Sequence, residues 1–181
     1  IDVLINNAGF SGYGNFSETD WTREMQMIQV NLVSLTQLTK LFLPGMVARG
    51  RGRILNVGST GSFMPVPLSA IYGATKAYVL SFSEAIAKEL EGTGVTVTTL
   101  CPGVTITEFQ KTAQIEGIRL LKVGAMSARS VAEIGYRGLA AGKKVVIPGA
   151  YNKLQVWSVR FTPRDVIATV SKIMMTRGVE K

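Results

Sequence analysis

Two short apolar runs, Arg53-Ile54-Leu55-Asn56-Val57-Gly58 and Val95-Thr96-Val97-Thr98-Thr99-Leu100, flank a helical pattern from Ala70 to Leu90. The second run is β-branched up to Leu100 and stops at Pro102-Gly103, as a buried strand does. Neither run alternates cleanly between apolar and polar residues, which marks strands covered on both faces. Strand, helix and strand in succession predict an α/β fold: a Rossmann-like, doubly wound parallel sheet with helices on both faces.

Working outward, Val3-Leu4-Ile5 is an earlier strand that ends at the turn-rich Asn6-Asn7-Ala8-Gly9. From Thr19 to about Leu43, Trp21, Met25, Ile28, Leu32, Leu35 and Leu38 recur at spacings of three and four, as on an amphipathic helix. Ser17-Glu18-Thr19-Asp20 supplies capping residues before it, and Pro44-Gly45 is expected near its end. After Leu100 comes a polar stretch to about Ser127, then a helix over Ala128–Ala141, a strand over Lys144–Pro148 and a basic helical tail over 151–181. Residues 1–181 read as a single catalytic unit with no internal repeat, and 109–127 as a lid over a substrate. Loops after the strands, beginning at Asn6, Gly58 and Cys101, fall at the carboxyl rim where such sheets bind ligands.

Composition narrows the chemistry. Among 181 residues, 46% are hydrophobic and 18% charged, which excludes a disordered chain. With no His and one Cys, no Ser-His-Asp triad, His-ligated metal or thiolate cluster can be built, so no metal site is expected. Proton transfer must then come from Tyr, Lys, Asp or Glu. The lone Cys101 reads as a small buried hydrophobe and fits a reducing, cytoplasmic location. The net charge of +8 is concentrated in residues 91–181, which hold 13 Lys and Arg against 6 acids. Such a half suits nucleic acid, an anionic membrane, an anionic ligand or a plain solvated face. No nucleic-acid reader motif is present, so nucleic acid is not expected as a partner; peripheral membrane contact by the basic tail stays open. Arg49-Gly50-Arg51-Gly52-Arg53 is too short for an RNA-binding tract and reads as a solvated turn between a helix and a strand. No run of eighteen uncharged apolar residues occurs that could span a bilayer.

Tyr72-Gly73-Ala74-Thr75-Lys76 sets a phenol and an ammonium four residues apart, on one face of a helix. A free phenol has a pKa of about 10, and a neighbouring cation favours its ionised form. The pair is a workable acid–base unit without His. Ser59 stands thirteen residues before Tyr72 at the mouth of a strand, with Ser62 as a rival hydroxyl. Between Ser59 and Lys76 no residue is charged, and Phe63-Met64-Pro65-Val66-Pro67-Leu68 forms an apolar wall suited to an uncharged ketone or secondary alcohol.

Together with Asn6-Asn7-Ala8-Gly9 after the first strand, Asn31 in the long helix and Cys101-Pro102-Gly103 with Thr107 after the third, this order resembles the short-chain dehydrogenase/reductase family over nearly the whole chain. The resemblance implies an NAD(P)-dependent oxidoreductase acting on a small apolar carbonyl or alcohol, with Ser59, Tyr72, Lys76 and Asn31 as its catalytic tetrad. Tyr72 would exchange the hydroxyl proton and Ser59 would bind the reacting oxygen. Lys76 would hold the nicotinamide ribose and lower the Tyr72 pKa, and Asn31 would hold a relay water. Asn6, Ala8 and Gly9 would lie along the NAD or NADP cofactor, and Pro102, Gly103, Val104 and Thr107 would receive its amide. A homodimer or homotetramer pairing through the helices at Thr19–Leu43 and Ala70–Leu90 is also implied.

One feature of the family is missing. Its opening strand, Gly-rich phosphate turn and following helix have no counterpart here. Gly9-Phe10-Ser11-Gly12-Tyr13-Gly14 has the wrong spacing and reads as a flexible loop over the substrate. The chain opens on Ile1-Asp2-Val3 and reads as the later part of a longer, N-terminally incomplete sequence, with its first strand left as an unpaired edge. A catalytically silent dinucleotide-binding or scaffold protein of the same fold is the alternative.

Overall fold

The computed structural model describes residues 1–113 and 115–177; the last residues of the expected tail, and residue 114 of the expected lid, lie outside them. Strands β1 (Val3–Asn6), β2 (Gly52–Val57), β3 (Val95–Leu100) and β6 (Val145–Val146) form one sheet in the order β1-β2-β3-β6, every pair parallel. Adjacent strands hold Leu4 opposite Ile54 and Ile54 opposite Val97, so these side chains share one face. There they pack with Met46 of α2 (Leu35–Ala48) and with Ile86 and Leu90 at the end of α3 (Ala70–Glu89). On the opposite face Leu55, Leu100 and Val146 pack against Val131 and Leu139 of α5 (Ala128–Ala140). Helix α5 lies close to the sheet because Gly135 and Gly138 carry no side chain. A Cβ at Gly138 would collide with Val146, and one at Gly135 would stand 2.7 Å from Leu100.

The α/β expectation holds, with local differences. Among the described residues, strand β1 pairs only with β2, and α5 does not reach over it, so Val3 and Ile5 stay 42% and 54% exposed. The sheet is therefore covered on both faces in its middle and not along β1. The long helical pattern does not end at Pro44-Gly45. It begins as α1 (Trp21–Ile28), capped by the Asp20 carboxylate on the Thr22 and Arg23 amides, and runs through a π-helical segment, Gln29–Ser34, into α2. Pro44 removes one backbone donor, yet the helix continues because Met46 is fully buried under β2. It stops at Gly50, with φ of 65°, where the Arg51 amide donates to the Met46 carbonyl and Gly50 to Val47. The Arg-Gly run is thus a helix cap leading into β2.

The polar stretch after β3 contains structure the sequence did not announce: β4 (Thr105–Ile106) pairs in parallel with β5 (Met126–Ser127), and a short helix α4 (Phe109–Thr112) lies between them. The tail is two helices, α6 (Ala150–Val159) and α7 (Arg164–Met175), separated at Pro163. The strand expected over Lys144–Pro148 is shorter: Val145 and Val146 pair with β3, and the Lys144 carbonyl accepts from the Thr99 amide at 2.8 Å. Among the described residues, no helix is long and apolar enough to cross a membrane.

Candidate active site

The carboxyl ends of β1, β2 and β3 open into a cavity of about 1050 Å³. Ser59, Tyr72, Lys76, Gly9, Pro102, Gly103, Val104 and Thr107 all line it, as the sequence order anticipated. Backbone bonds hold the rim in shape: Gly58 donates to Leu100, Thr60 to Pro102 and Cys101 to Val146.

Ser59 is the N-cap of a single 3-10 turn, Thr60–Phe63, and its hydroxyl accepts from the Gly61 amide at 3.1 Å. Ser62 closes the same box by accepting from the Ser59 amide at 3.1 Å, and it is buried behind the cavity. The turn geometry therefore selects Ser59 over Ser62 as the hydroxyl that faces the cavity. The Ser59 hydroxyl stands beside the Tyr72 phenol and favours its ionised form, and both line the cavity. Lys76, one helical turn on, is 5% exposed and donates to the Val57 carbonyl at 2.7 Å.

The electrostatics differ from expectation at Tyr72. Burial pushes its pKa above the ordinary value; the Ser59 hydroxyl pulls the other way without winning. The Lys76 ammonium lies over the ring, 5.8 Å from its centre, and spends a hydrogen on Val57 rather than reaching the phenol oxygen. Lys76 is itself lowered to about 8 by burial. At neutral pH the site thus holds a protonated phenol beside a charged amine. Cys101 matches its reading as a buried hydrophobe: it is fully enclosed and burial raises its thiol to about 12.

Asn31 and Asn6 stand behind the cavity. Asn31 lies in the π-helical segment, where the Ser34 hydroxyl donates five residues back to Gln29 and fills the wide turn. Its amide donates to the Phe10 carbonyl at 2.9 Å and to Thr75 at 3.3 Å, and its oxygen accepts from the Phe10 amide at 3.1 Å. Both amide hydrogens are engaged, leaving one oxygen lone pair for a water. Asn6 donates to Thr39 and to Asn56, whose own amide reaches Ser83, so it braces β1 to β2, α2 and α3. Ala8 is exposed and does not line the cavity; Asn7, its neighbour, does.

The Gly9–Gly14 loop lies over the cavity as expected, with Phe10 and Ser11 on its lining, but it is pinned rather than loose. Asn31 holds Phe10, the Ser69 hydroxyl donates to the Gly12 carbonyl at 2.8 Å, and the Tyr13 hydroxyl donates to Met175 at 3.0 Å. Met64 and Val66 supply the anticipated apolar wall, and Phe109 of α4 meets the Tyr72 ring at 5.9 Å. Sequence reasoning missed the contribution of α6 and α7. Asn152, Gln155, Val170, Met174 and Met175 complete the wall. Their helical spacing gives no sign of which face meets a cavity.

The family model described as short chain dehydrogenase matches residues 1–116. The chain is 40% identical over 103 residues to "Ketoacyl reductase HetN" of Nostoc sp., covering 57% of this chain and 36% of that protein. It is 45% identical over 108 residues to the "NADP-dependent 3-hydroxy acid dehydrogenase YdfG" of Salmonella typhi, covering 58% and 42%. Among solved structures, a short-chain dehydrogenase from Sphingobium yanoikuyae in complex with NADPH superimposes with a TM-score of 0.76 at 27% identity, over 100% of this chain and 68% of that one. A 7β-hydroxysteroid dehydrogenase gives 0.79 at 27% identity, over 94% and 67%. The chain spans about two-fifths of the length of these curated relatives.

Proposed function

The chain belongs to the short chain dehydrogenase family, and from that premise we propose that it forms part of an NAD(P)-dependent oxidoreductase that interconverts a carbonyl and a secondary alcohol. The observation that carries this reading is the Ser59–Tyr72 hydroxyl pair at a cavity whose floor holds the Lys76 ammonium. In reduction the Tyr72 phenol gives its proton to the oxygen of the carbonyl, and in oxidation it takes that proton back. Ser59 holds the same oxygen and stabilises the charge that develops there. A phenol raised by burial is protonated at neutral pH, the form that donates to the carbonyl oxygen in reduction. Asn31 is a positioning residue: it fixes the Phe10 loop to α3.

The residues present fit the nicotinamide-ribose end of a dinucleotide. The Lys76 ammonium has given one of its three hydrogens to Val57 and is suited to ribose hydroxyls. Gly9 runs so close to it that a Cβ there would lie 3.5 Å from the ammonium nitrogen, giving a smooth backbone wall. Pro102, Gly103, Val104 and Thr107 line the side suited to the nicotinamide amide. NAD or NADP, when bound, supplies or accepts the hydride. The apolar wall from Met64, Val66 and the α7 methionines suits a substrate with apolar bulk. We place the enzyme in the cytoplasm, as a homodimer or homotetramer, with residues 109–127 as the lid of one catalytic unit.

The test is Tyr72→Phe in the full-length enzyme, against a panel of ketones with NADH and NADPH. Turnover should fall by about a hundredfold or more while dinucleotide affinity holds, the scale of lost general acid catalysis. Retained turnover would remove Tyr72 from the proton-transfer role.

A further inference from the structure

The two helices that close the cavity also leave apolar side chains exposed on the outside. On α6, Leu154 and Trp157 are 61% and 59% exposed, and Phe161 just beyond is 71% exposed. At 100° per residue these three fall within an arc of about 60°, and the Trp157 and Phe161 rings touch at 4.9 Å between centres. Lys153 and Arg160, both exposed, fall beside that arc on one flank. On α7, Val166, Val170 and Ile173 form a second exposed stripe at spacings of four and three. The exposed surface is continuous with the cavity, because Tyr151 and Val170 are at once exposed and part of its lining.

We propose that this α6–α7 face docks on an anionic lipid surface, with the mouth of the cavity at Tyr151 and Val170 turned toward the bilayer. Aromatic and aliphatic side chains beside Lys and Arg are the composition of a helix that lies in a membrane interface. The charges argue for lipid over a second copy of the chain. Across α6 and α7 the cations Lys153, Arg160, Arg164 and Lys172 face a single carboxylate, Asp165, and a two-fold contact would bring like charges together. Phospholipid headgroups supply the opposite sign. Nucleic acid would also supply it, but it offers no apolar medium for Leu154, Val166, Val170 and Ile173. The proposal does not depend on the hydride-transfer reading, because its test reads lipid binding alone.

The test is vesicle flotation of the full-length protein. It should float with phosphatidylcholine vesicles that contain phosphatidylglycerol and stay behind with phosphatidylcholine alone. In a Trp21→Phe background, where Trp157 is the sole indole of this chain, emission should shift to the blue on the anionic vesicles. Loss of each cation should lower vesicle affinity by about fivefold, so Lys153→Glu with Arg160→Glu should nearly abolish flotation. Leu154→Glu should remove the blue shift while the far-UV circular dichroism stays unchanged. Failure to float on anionic vesicles overturns the proposal, and so does flotation with no change at Trp157. Self-association in the absence of lipid that Leu154→Glu disperses would assign the face to a second copy instead. Competition by duplex RNA without any blue shift on lipid would assign it to nucleic acid.

Discussion

The Lys76 ammonium donates to the Val57 carbonyl at 2.7 Å, tying the second turn of α3 to the last residue of β2. Through that bond the helix carrying Tyr72 is held in register with the strand end that leads to Ser59. The same burial that secures the bond makes the amine easier to deprotonate.

The first prediction follows from that burial. Lys76 releases its proton near pH 8 rather than at 10.5, since desolvation penalises its charged form. If the charged amine holds the cofactor, kcat/KM should fall as pH rises through about 8, and Lys76→Arg, which does not titrate there, should move that limb upward. Stability carries the opposite sign. The unfolded chain binds the extra proton between about 8 and 10.5, so the Lys76 contribution to folding rises with pH across that window and is absent below it. Urea midpoints of the parent and Lys76→Met across this range give the check: only the parent should show this contribution.

Ser59 and Ser62 offer a direct contrast. Ser59→Ala removes the hydroxyl that partners Tyr72 and should cost about a hundredfold in turnover with a small loss of stability. Ser62→Ala removes only a cap bond and should cost about 1 kcal/mol of stability with turnover largely kept. Steady-state kinetics and denaturant titration on both variants separate the roles; equal losses of turnover would refute the assignment.

Asn31→Ala breaks two bonds to Phe10 and one to Thr75, and should destabilise the protein by about 2–4 kcal/mol. The looser Phe10 loop should show as a rise in KM as well as a fall in kcat. Asn31→Asp cannot donate to the Phe10 carbonyl and should restore little. Hydrogen exchange at the Phe10 amide, which bonds to the Asn31 oxygen in the parent, should speed up in the alanine variant.

Leu41 is 69% exposed on α2, with Leu38 at 41% one turn earlier and Trp21 and Met25 exposed on α1. If these helices pair two copies, Leu41→Glu in the full-length protein should shift sedimentation from dimer or tetramer to monomer at micromolar concentration while circular dichroism is preserved. Unchanged association would place the interface elsewhere.

What could be read from residue order was whatever depends on local spacing. The run Val95–Leu100 identified a buried strand because β-branching and its Pro-Gly stop act within six residues. Tyr72 and Lys76 paired because four residues make about one helical turn. The parallel sheet, the rim loops and the company of Ser59 with Tyr72 followed from those elements in order. Only the folded chain decided the rest, since it rests on contacts between distant segments. Pro44 failed to end its helix because Met46 is locked under β2. Ser59 faces the cavity because Ser62 is drawn into its cap. The Tyr72 phenol moves up rather than down because burial outweighs the pull of Ser59, while the Lys76 ammonium spends its hydrogen bond on Val57. The methionines of α7 became a cavity wall because α7 folds back over the rim, more than a hundred residues beyond Ser59. Spacing is a property of neighbours along the chain, whereas desolvation and enclosure belong to neighbours in space.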